Sequence, residues 1–386
     1  MSDVILPLTI DEPSDAAFRE TVRQFAAKTL APHVREMDRN QRMDPAVLQA
    51  LFEVGLMGVE VPAEFGGSGA GFMASIIAIE ELAVVDPAVS VCVDVQNTMV
   101  NNSLLRWGSP EQHVRYLPQL TRSLIGSYAL SEPASGSDAF ALTTRAVADG
   151  DVFRLTGTKQ WITSGAEAGL YLLFATVDPS AGYKGITAFL IERGCPGFSV
   201  GRREDKLGIR ASSTVVLHLD DCVVPRANVF GEVGKGYKYA IEALNEGRIG
   251  IGAQMIGLAR GALEHARGYI RERRQFGRAV ADFQAVQFQF AELATQLEAA
   301  RLLVYNAARL KLAQRPFLKE AAMAKLFASR TAERVASACV EFFGGVGFTA
   351  DYPAEKYYRD AKVGSIYEGT SNIQLQTIAK LLLGGR

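Results

Sequence analysis

Between Asp282 and Lys311 the residues Phe283, Val286, Phe290, Leu293, Leu297, Ala300, Val304 and Ala307 recur at alternating spacings of three and four. That period makes one face of a helix continuously apolar over several turns, and such a face needs a helical partner along its length. The chain must therefore contain a helix bundle, and a helix of this kind often stands at a subunit interface. A second long helix, from about Lys319 to Phe343, should stop at Gly344-Gly345.

The texture before this bundle changes twice. From about Ser14 to about Ser123 the pattern is helical. Asp44-Pro45 is a cap followed by proline at the first helical position, and Phe72 to Val85 carries Met73, Ile76, Ile77, Glu80 and Glu81 at helical spacing. From about Gly126 to about Gly236 short β-branched and aromatic runs appear, Tyr171–Val177, Ile186–Ile191 and Thr214–Leu219, with Gly, Pro and Asp between them. These are turn-bounded strands, not a βαβ series. The 386 residues thus read as an α+β multidomain chain: an all-helical domain over 1–123, a β-domain over 124–236 and a helical bundle domain over 237–386.

Several classes are excluded. The net charge of -1 leaves no electrostatic footprint for nucleic acid. No uncharged apolar run is long enough for membrane insertion. Cys92, Cys195, Cys222 and Cys339 are few and far apart and read as buried, reduced thiols. His33, His113, His218 and His265 form no ligand pair, so no metal is expected. The acidic stretch Met1–Asp15 resembles neither a secretory signal nor a transit peptide, which fits a prokaryotic cytoplasmic protein or a processed protein of the mitochondrial matrix. Gly66-Gly67-Ser68-Gly69-Ala70-Gly71 lacks the spacing of a dinucleotide cradle and reads as a flexible loop between helices.

Four segments have a composition that suits chemistry, although each has an ordinary structural explanation. Tyr128 to Asp138 leaves a strand and becomes a string of small polar residues, either a surface loop or a backbone that can approach a ligand. Trp161, followed by Ile162 and Thr163, is either a core indole or an aromatic wall for a planar ring. Arg273-Arg274 before Gln275-Phe276-Gly277 is either a solvated helix face or a clamp for a pyrophosphate. Glu368, between Tyr367 and Gly369, is either a helix-dipole glutamate or a base held against apolar walls, and Ser371-x-x-Gln374 after it reads as a capping box.

In this order, and with Gly108-Ser-Pro-Glu-Gln112, Tyr116-Leu-Pro118, Val95-Gln-Asn-Thr98, Gly182-Tyr-Lys-Gly-Ile186, Lys206 to Ser213, Gly236 to Ile241, Leu244 to Ile251 and Thr295 to Leu303, the segments resemble the acyl-CoA dehydrogenase family. Within it they are most similar to members acting on short and 2-methyl-branched chains. The resemblance spans nearly the whole chain. It implies a middle β-sandwich or barrel, a C-terminal four-helix bundle, bound FAD, an acyl-CoA substrate, an electron-transfer flavoprotein as electron acceptor, and a homotetramer built as a dimer of dimers.

The resemblance also implies site roles. Tyr128, Leu130, Ser131, Gly136 and Ser137 would lie along FAD, with Ser137 also reaching the thioester ligand. Trp161, Ile162 and Thr163 would flank the flavin, and Thr370, Ser371 and Asn372 would touch it. Arg273, Gln284, Glu341, Phe342, Phe343, Gly344 and Gly345 would hold the adenosine-diphosphate half from a neighbouring subunit. Tyr183, Tyr237, Asn245, Glu246, Gly247 and Arg248 would line the acyl-CoA site. Similar enzymes carry the base either before the last helix or immediately before the arginine of the Asn245–Arg248 motif. Gly247 occupies the second place, and Glu246 stands about 100° around the helix from it. That leaves Glu368 as the catalytic base. Alternatives of the same fold are a straight short-chain (butyryl-CoA) dehydrogenase, an acyl-CoA oxidase and a non-catalytic flavin-binding scaffold.

Overall fold

The computed structural model describes residues 12–384, so most of Met1–Asp15 lies outside the described residues. Seven helices come first: α1 Pro13–Phe25, α2 Val34–Asn40, α3 Pro45–Glu53, α4 Phe72–Val85, α5 Pro87–Asp94, α6 Asn102–Trp107 and α7 Pro110–Leu120. The expected caps are in place. Asp44 Oδ1 accepts from Ala46 N at 2.8 Å, ahead of Pro45. Between α5 and α6 the backbone widens to a π-helix over Val95–Asn101. The amide of Gln96 donates to Leu120 O and Leu124 O, and that of Asn97 to Leu56 O and Val93 O. Side-chain amides here replace missing backbone partners, so the widened turn is tied to its neighbours on several sides.

Eight strands follow: β1 Gly126–Ala129, β2 Arg145–Asp149, β3 Val152–Thr163, β4 Leu170–Thr176, β5 Ile186–Glu192, β6 Phe198–Arg203, β7 Thr214–Pro225 and β8 Val229–Phe230. They form one hydrogen-bonded path, β6-β7-β3-β2-β4-β5-β8, and β1 adds to β4 in parallel. Every residue of β4 is buried, which explains its unbroken apolar run. The long β3–β7 pair is interrupted between Lys159 and Ile162. There Trp161 takes a left-handed φ of 64° and its indole turns outward, 56% exposed.

The chain then returns to helices: α8 Gly236–Glu272, a two-stranded hairpin of β9 Arg274–Gln275 and β10 Arg278–Ala279, then α9 Gln284–Leu312, α10 Leu318–Phe343, α11 Ala354–Ala361 and α12 Ser371–Leu383. Arg273 ends α8 as its C-cap and Arg274 enters the hairpin, so the pair does not lie on a helix face. The apolar stripe of α9 is buried from Leu293 onward and only half-buried at Phe283, Val286 and Phe290. Its first turns have no full cover within one chain. Among the described residues, no helix is long and apolar enough to cross a membrane.

Two features lock the helices together. Along α8, glycines replace side chains where other elements come close. A Cβ on Gly257 would lie 2.2 Å from Glu80 O, and one on Gly261 2.2 Å from Val84 O. The second is a buried ionic cluster. Glu80 receives Arg260 Nη1 at 3.0 Å, Arg301 Nε at 3.1 Å and Tyr305 Oη at 2.5 Å. Glu81 receives Arg260 Nη2 at 2.6 Å and Arg19 Nη1 at 2.7 Å. The guanidiniums hold the Glu80 carboxyl far below the usual range despite its burial. Removing one member strands the others in a low dielectric. Glu80→Gln should therefore destabilise the protein by about 3–5 kcal/mol. Urea unfolding followed by fluorescence checks this, and an unchanged midpoint would rule it out.

Candidate active site

Glu368 stands in a turn with two consecutive left-handed residues, Glu368 at φ 51° and Gly369 at φ 87°. That conformation is costly for a side-chain-bearing residue, and the surroundings hold it. Lys325 Nζ donates to Gly369 O at 2.7 Å. Gln374 Nε2 donates to Glu368 O at 3.1 Å and Gly369 O at 2.9 Å. The Tyr367 hydroxyl is bonded to Gln254 Oε1. The N-cap of α12 is Thr370, whose hydroxyl accepts from Ile373 N, and not the expected Ser371. Gln374 is thereby free to hold the turn, and no capping box forms.

The turn aims the carboxylate at α8. A Cβ built on Gly247 would lie 2.8 Å from Glu368 Oε2 and 2.8 Å from Met99 Sδ. Glycine at 247 leaves the slot that the carboxylate occupies. Glu368 Oε2 is buried and has no hydrogen-bond partner, as are Tyr128 Oη and Arg248 Nε. Burial pushes the Glu368 carboxyl up to about 7, while Lys325 and Arg248 pull it part of the way back. Burial in turn lowers the Lys325 ammonium to about 8, with Glu368 opposing. Unpartnered buried polar atoms are rare in native folds, and several converging on one place mark a site completed by a ligand.

Leu130 and Ser131 lie beside the strand that leads to Trp161. Lys159, fully buried, donates to Leu130 O at 3.0 Å and to Glu132 Oε1 at 2.7 Å, and Gln160 N donates to Ser131 O at 2.9 Å. The Ser127 hydroxyl donates to Thr163 O. The Tyr128–Ser137 loop and the Trp161–Thr163 segment are therefore tied together. Gly136 and Ser137 are exposed, and a Cβ on Gly136 would meet nothing within 4 Å. An outward indole beside an open loop of small residues fits the flat ring and polar chain of a flavin nucleotide.

Other expected residues are placed elsewhere. Arg273, Gln284, Glu341, Gly344 and Gly345 are exposed, and Phe343 stacks on Tyr269 at 4.3 Å, at the far end of α10. Lys325, which touches the Glu368 turn, lies on the same helix, roughly 27 Å away at 1.5 Å per residue. Tyr183 and Tyr237 meet edge to face at 4.9 Å. Arg248 Nη1 donates to Asn245 Oδ1 at 2.8 Å. Glu246 is not brought to Glu368. It pairs with Lys311 at 2.9 Å and Arg106 at 3.2 Å, and with Asn245 it lines a cavity of about 710 Å³ whose walls do not include Glu368, Gly247 or Arg248.

Sequence reasoning missed Lys325 and Asp94, and it read Gln374 as a capping residue rather than as a tie on the Glu368 turn. Asp94 is fully buried, accepts from the Thr98 hydroxyl at 2.8 Å, and has its Oδ1 2.0 Å from where a Cβ on Gly250 would stand. The glycines at 247, 250, 257 and 261, spaced by three, seven and four, were a signal that one face of α8 is closely approached. Lys325 left no such mark.

A buried, unpartnered carboxylate with a raised proton affinity is the kind of group that acts as a general base. Comparison with known proteins narrows this further. The acyl-CoA dehydrogenase N-terminal domain matches residues 12–123, the middle domain 127–222 and the C-terminal domain 234–383. A probable short/branched chain specific acyl-CoA dehydrogenase of Dictyostelium discoideum is 56% identical over 97% of this chain and 91% of that protein. The structure of butyryl-CoA dehydrogenase from Megasphaera elsdenii superposes with a TM-score of 0.95 at 38% identity, covering 97% of this chain and 99% of that one. A glutaryl-CoA dehydrogenase from Mycobacterium smegmatis in complex with FADH2 superposes with a TM-score of 0.91 at 30% identity, covering 97% and 95%. The chain belongs to the acyl-CoA dehydrogenase family.

Two variants test the geometry. Gly247→Ala should displace the Glu368 carboxylate or Met99 and lower turnover about 10²-fold in a folded protein, as expected of a small misplacement at a reacting centre. Lys325→Met removes a cation that favours ionised Glu368, so the pH profile of acyl-CoA dehydrogenation should move to higher pH. An unmoved profile would show that Lys325 does not tune this carboxyl.

Proposed function

We propose that the protein is an FAD-dependent dehydrogenase that introduces an α,β double bond into a short or 2-methyl-branched acyl-CoA, with Glu368 as the base. The observation that carries this reading is the unpartnered Glu368 Oε2 in a buried slot against Gly247. A carboxyl raised to about 7 is poised near neutral pH between holding and releasing a proton. It is ionised often enough to accept the proton α to the thioester carbonyl, and its burial makes the ionised form a stronger base than a solvated glutamate. FAD, held by the residues named below, would supply a hydride acceptor for the β carbon. The chain's own work is to hold the acyl-CoA between Tyr183, Tyr237 and Arg248, to exclude water, and to aim Glu368.

Tyr128, Leu130, Ser131, Gly136 and Ser137 are proposed to carry the flavin with Trp161, Ile162, Thr163, Thr370, Ser371 and Asn372. Arg273 at the end of α8, Gln284 at the start of α9 and Glu341 to Gly345 at the end of α10 gather at the end of α10 away from Lys325 and the Glu368 turn. In this reading they serve a flavin in a second copy of the chain. The half-buried start of the α9 stripe fits the interface this requires, and a homotetramer is the proposed assembly. Electron-transfer flavoprotein is the proposed acceptor by family resemblance.

The likeness to the Dictyostelium protein favours a branched substrate, and that to the Megasphaera enzyme supports a straight short chain as the second reading. Anaerobic titration with 2-methylbutyryl-, isobutyryl- and butyryl-CoA separates them, because the preferred substrate bleaches the flavin fastest. Glu368→Gln should stay yellow and folded and lose about 10²–10⁴-fold in bleaching rate. In the wild type that rate should rise with pH through about 7, as the base form is the ionised one. Bleaching of Glu368→Gln at the wild-type rate would overturn the assignment.

A further inference from the structure

Cys195 and Cys222 lie apart in sequence, yet their Sγ atoms stand 3.6 Å apart. Cys222 is buried in β7 and Cys195 is half-buried in the turn between β5 and β6, so the four cysteines are not all buried alike. The turn is held to β7 at Cys195 and at the two residues after it. Val223 N donates to Pro196 O at 3.1 Å, Asp220 N donates to Gly197 O at 2.9 Å, and the Cys195 thiol donates to Val223 O at 2.9 Å. The approach is close enough that a Cβ on Gly197 would lie 2.4 Å from Asp220 O. The backbones around the thiols are thus already fixed at neighbouring positions, and little movement is needed to join the sulfurs. Neither thiol belongs to the catalytic site. Cys222 is roughly 23 Å along β7 from Val215, which pairs beside Trp161, at about 3.3 Å per residue.

We infer that Cys195 and Cys222 are a redox pair that closes to an intramolecular disulfide when the protein meets a hydroperoxide. The more accessible Cys195 reacts first. Its sulfur, as thiolate, attacks the peroxide O–O bond, giving a sulfenic acid and, after protonation, water from a hydrogen peroxide oxidant. The Cys222 sulfur then displaces the hydroxyl of that sulfenic acid, forming the S–S bond and a second water. The two thiols lose two electrons in total, and the peroxide gains them. Burial lifts both thiols above their ordinary range, so thiolate is scarce at neutral pH and the reaction quickens as pH rises. The product adds a covalent tie between the turn before edge strand β6 and β7.

The test treats the holoenzyme with hydrogen peroxide and maps its peptides. The expected result is a single dithiothreitol-reversible link between the Cys195 and Cys222 peptides, with a mass lower by two hydrogens, forming faster at higher pH. Buried Cys92 and Cys339 serve as internal controls and stay unmodified on the same timescale. In Cys222→Ser, Cys195 should persist as a sulfenic acid that dimedone traps. In Cys195→Ser, Cys222 should resist oxidation. The inference is overturned if Cys195 goes directly to sulfinic acid in the unaltered protein, or if all four cysteines oxidise at one rate with no linked peptide.

Discussion

Glu80 and Glu81 sit where four helices meet. Arg19 comes from α1, Arg260 from α8, and Arg301 with Tyr305 from α9. No one of these charges could be buried alone, since desolvation of an isolated ion exceeds any local gain. Only the assembled set is tolerable, so the early helices and the late ones must dock in one register. The glycines of α8 at 257 and 261 then let α4 lie directly on its backbone. With α4 fixed, α5 and the π-helical turn after it are fixed too. That is how Met99 and Gly247, distant in sequence, come to frame one slot.

The slot explains why two neighbouring positions of α8 lead to different chemistry. Glu246 is as buried as many core residues, but Lys311, Arg106 and Asn102 satisfy its carboxylate. It is a structural ion. Glu368 approaches the next residue, Gly247, and one of its oxygens finds nothing to bond. Lys325 and Arg248 act on it through their charge without neutralising it by contact. Burial disfavours the ion, the two cations favour it, and the balance near neutrality is what a proton acceptor needs. The same residue type is thus satisfied as a strut or left with a free oxygen according to what faces it.

The single chain also leaves work undone. The Glu368 turn meets α10 at Lys325, and the arginine and glycine cluster proposed for the nucleotide's other half lies toward the opposite end of that helix. The α9 stripe is covered along its later turns and half-open where it begins, close to that cluster. In the proposed assembly, the half-open start of α9 and this cluster would share one place.

Much was legible in the residues. The stripe of α9, the cap at Asp44-Pro45, the stop at Gly344 and the strand runs at 171, 186 and 214 are local patterns, because helix and strand periods and turn chemistry are properties of neighbours in sequence. The Glu368 segment was legible only through its likeness to a family, since a glutamate before a helix has a sufficient local explanation. The cap at Thr370, the orphaned Glu368 oxygen, the cation at Lys325, the separate fate of Glu246 and the meeting of Cys195 with Cys222 were decided by tertiary structure alone. Each depends on which atoms stand within a few ångströms across the fold. Desolvation and pairing energies vary steeply over that distance, and the order of residues along a chain does not encode it.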